Sequence, residues 1–167
     1  MAEIIGPEYS WSEIVNFINY RKLAALATST PTGEPRVEPL IYVSDDQYIY
    51  LCIIPKTRKL KNLRENNKVS VAIFDGYNED WSRVGSVIIR GEAEFIDLLP
   101  EEYEKVVSLF KAKYIQVTRR GVSIVMDQKE APIIKIDLRK AKISTGSLYG
   151  KTDEEVLAIM EKYHKER

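Results

Sequence analysis

The sequence predicts a mainly β protein with accessory helices, its strands arranged as an antiparallel β-barrel. Three observations carry this. Runs rich in Val, Ile and Tyr recur between turn signals along the whole chain. The early runs follow one another too closely for a right-handed helical crossover between each successive pair, which argues against a parallel sheet. The chain has 167 residues, 44% of them hydrophobic and 30% charged, the profile of one globular domain large enough to bury a core without staples.

The elements follow in order. Ser10-Trp11-Ser12-Glu13 reads as a capping box and opens a helix whose Trp11, Ile14, Val15 and Ile18 share one face. Residues 23–29 (LAALATS) form a compact apolar run suited to a buried strand. Pro31 to Pro35 supplies a turn, and Ser44-Asp45-Asp46 separates the strand-like runs 36–43 and 47–54 as a hairpin turn would. Pro55 ends that hairpin. Residues 57–66 predict a helix with Thr57 as N-cap and Leu60 and Leu63 facing inward. Strands are expected at 68–74 and 86–97, the second bent or bulged at Gly91, with a polar loop at 75–85 between them. An amphipathic helix over 100–114 buries Val106, Val107, Leu109 and Phe110. Late strands follow at 133–138 and 141–144, and the capping box Thr152-Asp153-Glu154-Glu155 opens a C-terminal helix to about Lys165. With no repeat or linker in view, residues 1–167 read as one domain with an N-terminal helix and a C-terminal helical extension.

Charge is balanced overall, with 25 Lys and Arg against 25 Asp and Glu. That balance removes the usual argument for a nucleic-acid binder, which needs an excess of cations. The distribution is uneven. Between Lys56 and Lys68 stand six basic residues (Lys56, Arg58, Lys59, Lys61, Arg64, Lys68) against Glu65 alone, a local +5. One cysteine, Cys52, and one histidine, His164, exclude an internal disulfide and a Cys/His zinc site. No apolar run reaches the length of a membrane span and the N-terminus lacks a signal-peptide core, so the expected location is cytoplasmic, with no membrane partner.

Thr57-Arg58-Lys59 falls where a strand ends and a helix begins. A helix N-terminus offers free N–H donors and a partial positive charge, to which Thr57 adds a hydroxyl, Arg58 a donor fork and Lys59 a point charge. The chemistry fits a phosphate. The same residues also fit a solvated basic helix face, and the pattern alone leaves both readings open.

The segments 33–40 (GEPRVEPL), 48–51 (YIYL) and 57–69 (TRKLKNLRENNKV), with 88–94 (IIRGEAE) further on, resemble the FMN-binding split-barrel family related to pyridoxamine 5′-phosphate oxidase. The resemblance spans roughly residues 10 to 145 and is most specific over 57–67. It implies an antiparallel split β-barrel and a homodimer with FMN at the interface. By position it assigns Thr57, Arg58 and Lys59 to the FMN phosphate. The strand Arg36, Val37, Glu38, Pro39 would follow the ring and ribityl chain, partly through backbone groups. Cys52 and Ile53 would line the same cleft, and Ser86 would supply a polar contact. Asn62 matches the motif, serving either helix or ligand. Two departures stand out. Ile53 replaces a frequent hydroxyl residue, and the C-terminal segment lacks the Trp- and Arg-rich motif with which true pyridoxamine phosphate oxidases hold substrate.

Other residues read as structural. His164 suits a helix C-terminus, and Cys52 among Tyr50, Leu51 and Ile53 suits a packing thiol. Ser147 lies between glycines without the spacing of a nucleophile elbow. Trp81 and Arg83 fit either a flavin cover or a surface loop. The expected function is an FMN flavoprotein passing hydride or electrons from NAD(P)H to a small-molecule substrate. The alternatives are a deazaflavin coenzyme, its anionic tail met by Lys56, Lys61 and Arg64, and a non-enzymatic flavin carrier or sensor.

Overall fold

The computed structural model describes residues 2–6, 9–74, 85–96, 99–114 and 131–146. They form, in chain order, β1 (Glu3–Ile5), α1 (Trp11–Tyr20), β2 (Leu23–Ser29), β3 (Pro35–Ser44), β4 (Tyr48–Cys52), α2 (Arg58–Glu65), β5 (Lys68–Phe74), β6 (Ser86–Glu92), β7 (Glu94–Phe95), α3 (Pro100–Lys113), β8 (Ile133–Asp137) and β9 (Lys142–Thr145). The expected C-terminal helix, Ser147, His164, Trp81, Arg83 and nearly all of the loop 75–85 lie outside the described residues.

One sheet carries all nine strands in the order β1-β9-β6-β5-β2-β3-β4-β8-β7. Only Ala93 separates β6 from β7, and β7 pairs with β8 through Glu94↔Lys135 and Phe95↔Ile134. The sheet therefore curls until its end returns to β6, as the antiparallel barrel reading requires. Two features depart from expectation. β1 is a strand the sequence did not signal, and it pairs parallel with β9 through Ile4↔Ile143. The predicted strand 86–97 breaks at Ala93, whose N–H donates to the Asn67 carbonyl at 2.8 Å, rather than at Gly91. Gly91 has another reason to be glycine: an added Cβ would stand 3.0 Å from Ile136 Cγ2, where β6 closes on β8.

Alternation along the strands builds two cores. Ile49, Leu51 and Ile53 face the inside of the curl with Leu26, Val71 and Ile89, where Ile14 and Ile18 of α1 and Leu60 and Leu63 of α2 join them. Tyr50 and Cys52 point the other way, onto Val106 and Phe110 of α3 and Ile133 of β8. Each fully buried Ile, Leu or Val side chain contributes about 1.5–3 kcal/mol, so both faces of β4 are committed to packing.

Local signals place the helices. Ser10 accepts from the Glu13 N–H while Glu13 accepts from the Ser10 N–H at 2.7 Å, the reciprocal capping box. Between β2 and β3, Gly33 adopts φ +91°, a conformation costly for residues with a Cβ, and its N–H donates to the Thr30 carbonyl at 2.9 Å.

Candidate functional site

Register sorts the candidate residues into two groups. β2 and β3 pair along Leu23↔Ile41 to Ser29↔Pro35, so Arg36 lies opposite Thr28 and Glu38 opposite Leu26. Thr28 and Leu26 are buried, and α2 sits over that face: its Asn62 amide donates to the Thr28 hydroxyl at 3.2 Å. Arg36 and Glu38 thus point toward α2. Val37 and Pro39 point to the opposite face with Ala25 and Ala27, because side chains alternate along a strand. Ser86 joins this outer group: it lies opposite Phe74, and its neighbour two residues on, Ile88, lies opposite Ala72, itself opposite Ala25.

β3 is paired with β4 only over Tyr42–Ser44. Among the described residues, its edge over 35–41 that faces away from β2 has no strand partner. That free edge presents backbone donors and acceptors beside the N-terminus of α2.

The turn into α2 sets the cationic side chains. Lys56 adopts the left-handed conformation at φ 61°, an uncommon one for a residue with a Cβ. The Thr57 hydroxyl donates to the Ile54 carbonyl at 2.8 Å and accepts from the Leu60 N–H at 3.4 Å. Both of its hydrogen-bonding roles serve the helix cap. Arg58, Lys61, Asn62 and Glu65 follow at helical spacing and line one cleft of about 230 Å³ with Thr30, Glu34, Pro35 and Arg36. Lys59 turns away from that cleft. Its side chain is 9% exposed and its ammonium binds the Glu38 carboxylate, which Arg36 also approaches at 3.5 Å. The hydrogen bond from Lys59 holds the Glu38 carboxyl below the usual carboxylate range.

The structure therefore brings Arg36 and Arg58 together at one cleft and adds Lys61, Thr30 and Glu34, which the sequence reading had not assigned to the phosphate. Lys61 was legible, since it falls three residues after Arg58 on the same helix face. Thr57 and Lys59 are engaged elsewhere. The side chains of Cys52 and Ile53 are buried in the two cores, and burial pushes the Cys52 thiol up to about 12. Ser86 lies near the far end of the β5–β6 ladder, roughly 20 Å along the strands from Lys68 at ~3.3 Å per residue. A second, larger groove of about 950 Å³ meets the cleft at Pro35 and runs past Ala27, Ser29 and Ser70 to Arg90. Among the described residues no group of three or more His, Cys, Asp or Glu side chains could hold a metal ion, and no helix is long and apolar enough to cross a membrane.

The family model for pyridoxamine 5′-phosphate oxidase matches residues 10–144, most of the chain. The chain belongs to this family. Solved structures share the split-barrel fold. A conserved hypothetical protein of Mycobacterium tuberculosis is 24% identical, with 84% of this chain and 86% of that one covered at a TM-score of 0.66. The heme storage protein HutZ of Vibrio cholerae is 17% identical over 79% and 91%, with a TM-score of 0.64. A FAD-binding protein of Mesorhizobium loti is 20% identical over 83% and 95%, with a TM-score of 0.61. No curated protein matches the chain. Beside the cleft of this member of the pyridoxamine 5′-phosphate oxidase family, an acidic strand residue, Glu38, holds Lys59.

Proposed function

We propose that this chain is an FMN-binding flavoprotein that passes hydride or electrons between a reduced nicotinamide and a small acceptor. The observation that carries the reading is the meeting of the free β3 edge with a cleft at the start of α2 lined by three cations, Arg36, Arg58 and Lys61, against two carboxylates, Glu34 and Glu65. Arg58 and Arg36 offer planar donor forks and Lys61 a mobile ammonium, a set suited to a phosphate monoester. The cleft of about 230 Å³ accommodates a phosphate and the start of a ribityl chain but not a whole flavin. Free backbone groups along residues 36–40 would meet the polar edge of the ring.

FMN, when bound, supplies the electron chemistry. The chain's own residues anchor the phosphate, align the ligand along β3 and exclude water from one side. No side chain is required as nucleophile.

A homodimer is part of the proposal. The outer face of β2, β3, β5 and β6 exposes Leu23, Val37, Phe74 and Ile88, 39–64% accessible, around Ala25, Ala27 and Ala72. Apolar surface arranged this way supports a second copy covering it. The single free thiol, Cys52, suits a reducing cytoplasm.

The test is the absorption spectrum of protein purified as expressed, with identification of any released cofactor, followed by oxidation of NADH and NADPH with added acceptors. Flavin bands and nicotinamide oxidation are expected. Colourless protein that takes up no flavin on titration overturns the reading. Tighter binding of a deazaflavin than of FMN would assign that coenzyme instead. A second reading, a carrier without catalysis, is favoured by the relatives described as heme storage and heme binding proteins. Ligand bound with no nicotinamide oxidation selects it.

A further inference from the structure

Arg36 stands between the Glu38 carboxylate and the cleft at the start of α2. One nitrogen of its guanidinium lies 3.5 Å from Glu38 Oε1, while the side chain also lines the cleft with Arg58 and Lys61. Glu38 and Lys59 do not line that cleft. We infer that Glu38 is a resident anion that competes with the ligand's phosphate for Arg36, and so sets how strongly the cleft prefers phosphorylated to unphosphorylated ligands. The inference rests on the phosphate reading of the cleft.

Three features support it. First, Arg36 and Glu38 are two apart on β3 and share its α2-facing side, so their side chains run alongside each other before any ligand arrives. Second, the contact is loose. At 3.5 Å it lies beyond the usual range for an N–H···O bond, and the Arg36 side chain is 36% exposed, so its fork can be captured by a better acceptor. Third, Lys59 fixes the competitor. Its ammonium is nearly buried against Glu38, which keeps the carboxylate in place and partly neutralises its pull on Arg36. A phosphate carries more charge and more acceptor oxygens than Glu38, so it can win Arg36, but only against this opposition. A ligand without a phosphate gains nothing from the exchange.

The experiment compares wild type, Glu38→Gln, Arg36→Met and the double variant, titrated with FMN, riboflavin and inorganic phosphate. Glu38→Gln keeps a hydrogen-bonding partner for Lys59 and removes the competing charge. It is expected to raise affinity for FMN and for inorganic phosphate about fivefold, the effect of one partly exposed charge pair, and to leave riboflavin unchanged. Glu38→Asp, which withdraws the carboxylate by one methylene, should act in the same direction more weakly. In the Arg36→Met background, Glu38→Gln should add no affinity. Unchanged or weaker phosphate affinity, or an equal gain without Arg36, overturns the inference, as does failure of inorganic phosphate to bind any variant. If no variant takes up flavin while inorganic phosphate still responds to Glu38, the flavin reading falls and the inference stands. If FMN binds but its preference over riboflavin ignores Glu38, the reverse holds.

Discussion

The Asn62 amide donates to the Thr28 hydroxyl across 3.2 Å, and both residues are buried. With the bond from the Asn66 amide to the Ser29 hydroxyl at 3.0 Å, this contact ties α2 to β2, so Asn62, which also lines the cleft, holds the helix over the sheet. Asn62→Ala is expected to destabilise the fold by about 1–3 kcal/mol, because it leaves the Thr28 hydroxyl buried without its donor. Replacing both, as Asn62→Leu with Thr28→Val, should recover much of the loss. Denaturant unfolding of the three variants measures this, and a double variant less stable than Asn62→Ala would refute it.

Lys113 places its ammonium 4.1 Å from the centre of the Tyr42 ring, without a hydrogen-bond acceptor among the described residues. Burial, with Lys22 nearby, lowers its pKa from 10.5 to about 8. Between these values the unfolded chain binds the proton more tightly, so this group's contribution to stability rises with pH from about 8 to 10.5 and its full penalty applies below. After allowance for solvent screening the penalty is about 1–2 kcal/mol. Lys113→Met should therefore raise Tm at pH 7 and lose this advantage by pH 10. Thermal melts across that range read it directly.

Lys59 and Glu38 act at the other end of the pH scale. The hydrogen bond from Lys59 depresses the Glu38 pKa, so the pair's stabilisation is present above the ordinary carboxylate range and is lost as pH falls through the depressed value. Lys59→Met is expected to cost about 1 kcal/mol at neutral pH and to flatten the acid limb of the stability curve. An unchanged acid limb in that variant would show that the pair does not couple to folding.

Much of the fold was readable in the chain, and the contacts that were not share a cause. The caps at Ser10 and Thr57, the strands 23–29 and 68–74 and the turn at Gly33 depend on neighbours within a few residues, and sequence shows those. The ion pair of Lys59 could not be read, because Glu38 lies 21 residues away and reaches it only through the tertiary fold. Cys52 and Ile53 were assigned to the cleft as a pair. Alternation instead sends them to opposite cores, which a period of two could have signalled. β1 escaped because three exposed residues carry no apolar pattern and gain their partner from the far end of the chain.

Arg58 and Lys61 line the same cleft but should not contribute equally. Arg58 opens α2, where its fork and the helix N-terminus would act together on a bound phosphate. Lys61 is 75% exposed on its side chain and lies 3.9 Å from Glu65, so its charge is screened and shared. Arg58→Met is expected to weaken FMN binding by about 2 kcal/mol, roughly thirtyfold, with riboflavin little changed. Lys61→Met should cost less than about 1 kcal/mol. Equal losses for FMN and riboflavin would place Arg58 against the ring rather than the phosphate.

The outer face gives the last test. Val37 is 64% exposed and lies opposite Ala27, while Ile88 is 39% exposed and lies opposite Ala72. Their side chains make little core contact from there, so a charge at either position should leave the folded protomer intact. Val37→Glu with Ile88→Glu is expected to keep the far-ultraviolet spectrum and most of the thermal stability. It should convert a dimer to a monomer, because burying two carboxylates against a like pair costs several kcal/mol per ion. If the flavin needs both copies, the monomer will also lose FMN while the cleft residues Arg36 and Arg58 are untouched. Sedimentation of the variant with and without FMN separates these consequences. A variant that remains dimeric would place the subunit contact on another face of the barrel.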